Sequence, residues 1–155
     1  MKLRIVAFGQ RMPAWVVAGF DDYARRLPRE FALELIELKP GPRARGKTPA
    51  QVLAAEGERI AAATRGSMVI AVDVRGEAWS TSQLAARLRV WSTSGRPVAF
   101  VLGSADGLAA LVKRNADVIM ALSKLTLPHG LARVVLVEQI YRAASLLQGH
   151  PYHRE

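Results

Sequence analysis

Residues 97–102 have the sequence PVAFVL, which is apolar throughout, and the glycine-flanked segment Gly103-Ser104-Ala105-Asp106-Gly107 follows at once. A second short apolar run, MVIAV, occupies residues 68–72 and is followed by Asp73, where we expect it to end. Continuous apolar runs of this length are typical of strands that are buried on both faces of a parallel sheet. The two runs therefore predict central strands of an α/β fold, and residues 103–107 predict a sharp turn after one of them.

Strand and helix patterns alternate on both sides of these runs. Further strands are predicted at residues 2–8, 31–38 and 118–122. Helices are predicted at residues 13–27, 48–64, 80–94, 108–114 and 133–148, with Thr48 and Ser80 as N-caps. This alternation predicts one domain over residues 1–155, an α/β fold whose parallel sheet of about five strands is flanked by helices.

Ligands of open parallel sheets bind beyond the carboxyl ends of the strands. In this sequence the turns at residues 73–76, 103–107 and 123–129 follow predicted strands. These three turns are therefore the first places to look for a site.

Composition excludes several classes of protein. The chain has 155 residues and no cysteine, which excludes a disulfide framework, a thiolate zinc site, an iron–sulfur cluster and a cysteine nucleophile. No apolar run reaches the roughly 18–20 residues that cross a bilayer, and the N-terminus lacks the apolar core of a signal peptide. We therefore expect a cytoplasmic protein with no membrane partner, and we expect no metal site.

The charge balance favours a polyanionic partner. Lys and Arg number 22 against 13 Asp and Glu, which gives a net charge of +9. Residues 39–47, KPGPRARGK, combine proline, glycine and cations, which is typical of an irregular loop. We expect Arg43, Arg45 and Lys47 to bind phosphates, together with Arg25 and Arg26.

Two segments allow both a functional and an ordinary interpretation. The 103–107 turn permits close approach of a ligand to bare backbone, but it lacks both standard nucleotide fingerprints, so taken alone an ordinary turn is favoured. Residues 123–130, SKLTLPHG, offer backbone groups that must find partners; an adenine edge and the loop's own turns suit them equally. His129 could act as a base or an orienter, although a helix-entry or surface histidine is the more common case.

The end of the chain also has two interpretations. The helix predicted at residues 133–148 is apolar nearly all round, which fits a subunit interface or a central core helix. The last six residues, HPYHRE, are a solvated tail or a functional one. We favour function slightly, because Tyr152 and His153 can stack on a base and Arg154 can hold phosphate.

Several segments carry a resemblance to a known family. They are MPAWV at 12–16, FALELIE at 31–37, LTLPH at 125–129, VEQIYRA at 137–143 and HPYHRE at 150–155. Over essentially its whole length the chain resembles the SPOUT superfamily of α/β-knot methyltransferases, and within it the methyltransferase H family of large-subunit ribosomal RNA. The resemblance implies a C-terminal trefoil knot, a homodimer, and methyl transfer from S-adenosylmethionine to N3 of a pseudouridine in 23S ribosomal RNA within the assembled ribosome.

The resemblance also implies site residues. The cofactor pocket would be formed by Val72, Gly103, Leu122, Ser123, Lys124, Leu125, Thr126 and Leu127. The catalytic, substrate-facing residues would be His129, Tyr152, His153 and Arg154. The family usually has leucine at position 72 and a second glycine at position 104; Ser104 would be strained if that position required a positive φ.

We hypothesise that His129 or His153 assists loss of the N3 proton, that Arg154 stabilises the developing negative charge, and that Tyr152 packs on the base. Two other functions fit the charge and the loop. One is a non-catalytic module that binds RNA or the ribosome, and the other is a knotted methyltransferase for transfer RNA.

Overall fold

A computed structural model describes residues 1–9, 11–41, 46–104 and 106–153, without the side chain of His153. Within these ranges five strands form one parallel sheet, in the order β2-β1-β4-β3-β5. The strands are β1 (Lys2–Phe8), β2 (Ala32–Leu38), β3 (Met68–Ala78), β4 (Val98–Leu102) and β5 (Val118–Ala121). The predicted α/β fold with about five parallel strands is confirmed.

Helices lie between the strands as the alternation predicts. They are α1 (Ala14–Arg26), α2 (Pro49–Ala63), α3 (Thr81–Ser92), α4 (Ala110–Asn115) and α5 (His129–Leu147), and a short 3-10 helix spans Pro151–His153. Thr48 and Ser80 both form capping boxes, in which each side chain accepts a hydrogen bond from the backbone of the glutamine three residues later. The sequence-based N-caps of α2 and α3 are therefore confirmed.

The core lies on both faces of the central strands. Helices α1, α3 and α5 cover one face, around Phe100 and Ile5, and α2 and α4 cover the other, around Val6 and Val101. All five side chains of β4 are buried, as a strand between two helical layers requires.

The expected end of the third strand at Asp73 is wrong. β3 continues to Ala78, and Met120 of β5 is the partner of both Val72 and Glu77, so residues 73–76 bulge out between two pairings. Gly76 makes this possible, because a Cβ there would lie 2.6 Å from the carbonyl carbon of Met120. The strand can cross β5 this closely only without a side chain at that position.

Helix α5 begins four residues earlier than expected, at His129 rather than Arg133. Pro128 occupies the N-cap with φ −62°, and a helix start does not need the N–H that proline lacks. α1 and α3 pack against α5, and residues such as Leu136 and Ile140 are fully buried within one chain. The structure thus favours the core interpretation of this helix, while the homodimer and the knot stay predictions.

Among the helices of the described ranges, none combines the length and apolarity needed to cross a bilayer. The same ranges contain no group of three or more His, Asp or Glu side chains placed to hold a metal ion.

Candidate functional site

A cavity of about 470 Å³ lies at the carboxyl edge of the sheet. Its walls come from the bulge of β3 (Asp73, Val74), the turn after β4 and the segment between β5 and α5. These are the three turns that the sequence marked, and parallel pairing brings them together because all the strands end at the same edge.

The turn after β4 folds back tightly on itself. Ser104 and Gly107 exchange two backbone hydrogen bonds, with N···O distances of 3.2 and 2.9 Å. A Cβ on Gly103 would lie 2.6 Å from the carbonyl carbon and oxygen of Gly107, so the turn requires a glycine there. The strain considered for Ser104 is not found, since Arg11 is the one non-glycine residue with a positive φ in the part of the chain that the structure describes.

The segment between β5 and α5 forms the opposite wall. Residues 122–128 lie outside the helices and strands, and the N–H of Leu125 donates to Ser123 Oγ at 2.9 Å. The Leu125 side chain is 77% exposed beside the cavity. Irregular backbone next to exposed apolar side chains is typical of a pocket that takes a largely apolar ligand with a few polar groups.

Most of the predicted cofactor residues share this one cavity. The predicted cofactor residues that line it are Val72, Gly103, Leu122, Ser123, Leu125, Thr126 and Leu127, and His129 of the predicted catalytic residues lines it as well. Lys124 is exposed and is not among the lining residues. The structure thus brings together residues from positions 72, 103 and 122–129, which are distant in the sequence.

His129 is half-buried at the start of α5, and both of its ring nitrogens have assigned roles. Arg133 Nε donates to His129 Nε2 at 3.3 Å; since an arginine only donates, the neutral ring must carry its proton on Nδ1. Burial lowers the pKa of His129, the Arg133 charge lowers it further, and the carbonyls of Phe8 and Gly103 oppose this shift. The neutral ring therefore has no unused lone pair, which favours an orienting role over a general base.

Arg133 connects this histidine to the ends of two strands. Its side chain is 2% exposed, and it donates to Glu37 at 2.7 Å and to the carbonyls of Phe8 and Gly9 at 2.8 and 2.9 Å. Sequence analysis missed this role. The sequence does hold a signal for it, since Arg133 lies four residues after His129 on a helix that is apolar nearly all round. A charged side chain buried on such a helix needs polar partners.

Tyr152 lies at a different place, in an aromatic cluster towards the other end of α5. Its hydroxyl donates to Glu138 Oε1 at 3.0 Å, and its ring centroid is 4.5 Å from that of Tyr141 and 6.5 Å from that of Tyr23. Burial raises the pKa of Tyr152, and hydrogen bonds with Tyr23 and Glu138 raise it further.

The structure does not bring Tyr152 to the cavity of its own chain. Glu138, its hydrogen-bond partner, follows His129 by nine residues on α5. At the rise of an α-helix this corresponds to about 14 Å along the axis.

The remaining predicted residues divide into exposed and undescribed ones. Arg25, Arg26 and Lys47 are exposed, and the two arginines pair with Asp22 at 3.5 and 2.9 Å. Arg43, Arg45 and Arg154 lie outside the described residues, as does the side chain of His153.

Comparison with known proteins places the chain among methyltransferases. A family described as "Predicted SPOUT methyltransferase" matches residues 1–153. Proteins named "Ribosomal RNA large subunit methyltransferase H" from Burkholderia mallei and Burkholderia pseudomallei are 52% identical to it over 99% of both chains. A methylase family protein from Neisseria gonorrhoeae shares the fold at 14% identity, with a TM-score of 0.52 over 90% of this chain and 80% of that one. The chain therefore belongs to the SPOUT methyltransferases, which use S-adenosylmethionine as methyl donor.

Proposed function

We propose that this protein methylates large-subunit ribosomal RNA, at N3 of a pseudouridine in 23S ribosomal RNA and on the assembled ribosome. The observation that carries the proposal is the cavity that the three irregular segments form in a chain 52% identical to proteins named for large-subunit methylation. The net charge of +9 suits an RNA substrate. Family membership favours an enzyme over a binding module without chemistry.

The residues that line the cavity suit the methyl donor chemically. Val72, Leu125 and Leu127 offer apolar surface, and Gly103 lets the turn close tightly on Gly107 beside the cavity. Val72, Gly103 and residues 122–127 would hold the donor, with Lys124 contributing backbone only. When bound, S-adenosylmethionine supplies an electrophilic methyl group on a sulfonium.

The chain's own residues then have to position the nucleoside and assist the removal of its N3 proton. N3 of a uracil-type base carries a proton at neutral pH, and its lone pair becomes available as that proton leaves. His129 keeps the start of α5 against the Gly103 turn, and its Nε2 is engaged by Arg133. Proton removal is accordingly assigned to His153 or to solvent, with Arg154 stabilising the negative charge on a carbonyl oxygen and Tyr152 packing on the base.

We propose that the enzyme is a homodimer. Tyr152 is not among the residues that line the cavity of its own chain. A Tyr152 that packs on the substrate therefore either leaves its aromatic cluster or reaches the cavity of a second copy. Trp15 and Val17 on α1 support association, since their side chains are 58% and 49% exposed. Mixing a Gly103 variant with a variant lacking residues 150–155 separates the two cases, because only a shared site regains activity on mixing.

The substrate is tested by incubating the protein and labelled donor with assembled ribosomes, isolated large subunits and bulk transfer RNA. The proposal expects incorporation into 23S ribosomal RNA of ribosomes, and mass spectrometry of nuclease fragments should locate the methyl group on N3 of a pseudouridine. Incorporation into transfer RNA alone would instead support the transfer RNA alternative. Failure to bind the donor in a calorimetric titration would leave only the binding module.

A further inference from the structure

Glu56 is a buried carboxylate that the mechanism above does not use. It lies on α2, is 1% exposed, and is not among the residues that line the cavity. Its Oε1 accepts a hydrogen bond from Ser104 Oγ at 2.7 Å, and its Oε2 accepts one from the backbone N–H of Gly41 at 2.8 Å. A buried charge is tolerated only when such partners compensate for lost hydration.

The two partners belong to segments that follow β2 and β4, the strands on either side of β1. Gly41 follows β2 and lies directly on α2, where an added Cβ would be 2.8 Å from Val52 Cγ1 and 3.2 Å from Glu56 Cγ. Ser104 belongs to the turn after β4 and lines the cavity. The Glu56 carboxylate therefore links the turn after β4 to α2 by a hydrogen bond.

We propose that Glu56 is a positioning residue for donor binding, which acts through the hydroxyl of Ser104 to hold the 103–107 turn in its binding geometry. This proposal rests on the proposed function only in taking the cavity as the donor site.

The test is calorimetric titration of S-adenosylmethionine, without RNA, into the wild-type protein, S104A, E56Q and the double variant. Loss of one hydrogen bond to a charged acceptor is expected to raise the Kd in S104A roughly three- to tenfold. E56Q is expected to have a similar effect. Because both substitutions weaken the same bond, the double variant should bind about as tightly as S104A alone.

Two control variants distinguish positioning from a general loss of stability. E58Q removes the same charge from the exposed face of α2, and T64V removes the buried hydroxyl of Thr64 that donates to the Ile60 carbonyl at 2.8 Å. T64V should lower the melting temperature and leave the Kd for the donor unchanged, and E58Q should change neither.

Two outcomes would overturn the proposal. They are an unchanged Kd in S104A and an undiminished effect of E56Q on the S104A background. If E56Q does not fold, the Kd of S104A still carries the test, because an unchanged value would show that the bond to Glu56 does not affect donor binding. Failure of the proposed function would show separately, as absent donor binding or absent RNA methylation in the wild-type protein.

Discussion

The start and the middle of α5 do different things with similar residue types. At the start, His129 and Arg133 face strand ends and irregular backbone, and a cavity opens beside them. In the middle, Glu138 and Arg142 bind each other at 2.7 Å and hold Tyr152 by side-chain contacts. The start of the helix borders a cavity because its neighbours are turns without regular pairing, and the middle borders a closed cluster of side chains.

This difference is why we expect the proposed donor site and Tyr152 to be separable. The cavity depends on where backbone segments lie, so glycine positions and buried hydrogen-bonding side chains should control it. Tyr152 depends on a few side-chain contacts with a part of α5 remote from the cavity. Substitutions in one region should leave the other largely unaffected.

The largest expected effect is on stability, from R133M. Arg133 is almost fully buried with one carboxylate and two carbonyl partners, so its removal should lower the free energy of unfolding by about 3 kcal/mol. The matched change in the middle of α5, R142M, breaks a partly exposed pair and should cost less than about 1 kcal/mol. Urea denaturation measures both losses, and equal losses would contradict the difference between the start and the middle of the helix.

The next effect is on donor affinity, from G103A. The added methyl would be 2.6 Å from the Gly107 carbonyl, and the turn must shift to relieve this contact. We expect donor binding to weaken at least roughly tenfold, equivalent to about 1.4 kcal/mol. G95A is the control, because Gly95 has φ 74° but open space around it, so this variant should lose stability and keep its donor affinity.

A smaller effect is expected at the tail, from Y152F. The variant keeps the aromatic ring and loses the hydrogen bond to Glu138, which is worth roughly 0.5–1.5 kcal/mol. Amide exchange of residues 152 and 153 should accelerate roughly three- to tenfold, and the Kd for the donor should stay unchanged. A changed donor affinity would mean that Tyr152 contributes to a donor cavity, either that of its own chain or that of a second copy.

The smallest effect concerns pH and His129. Its folded-state pKa lies below the reference value of 6.5, so the unfolded chain binds the proton more readily. The stability that the neutral ring provides is complete above about pH 6.5 and is lost as the pH falls towards the folded-state pKa. Denaturation of wild type and H129Q between pH 5 and 8 should show the wild type losing more stability at the acidic end; parallel profiles would contradict this.

Patterning predicted the sheet and the location of the cavity because both follow from local rules. Apolar runs such as 98–102 indicate buried strands, and parallel strands bring their following turns to one edge. The bulge at residues 73–76 could not be predicted, because it depends on the contact of Gly76 with the backbone of β5. The apolar pattern along one strand does not show where the backbone of a neighbouring strand will lie.

The side-chain links were harder to predict than the backbone. The bonds of Arg133 to Phe8 and of Glu56 to Ser104 span 125 and 48 positions, and nothing in either segment alone indicates the partner. The resemblance predicted residues 122–127 as cofactor residues and the tail as substrate-facing. It could not indicate that Tyr152 lies away from the cavity of its own chain. The trefoil knot stays a prediction of the same resemblance.

A crystal structure with S-adenosylmethionine bound would show where the donor lies. We expect donor density between the Gly103 turn and residues 122–127, with the adenine edge on backbone groups of that segment and with Arg133 still bound to His129. Donor density at any other place on the protein would mean that this cavity is not the donor site.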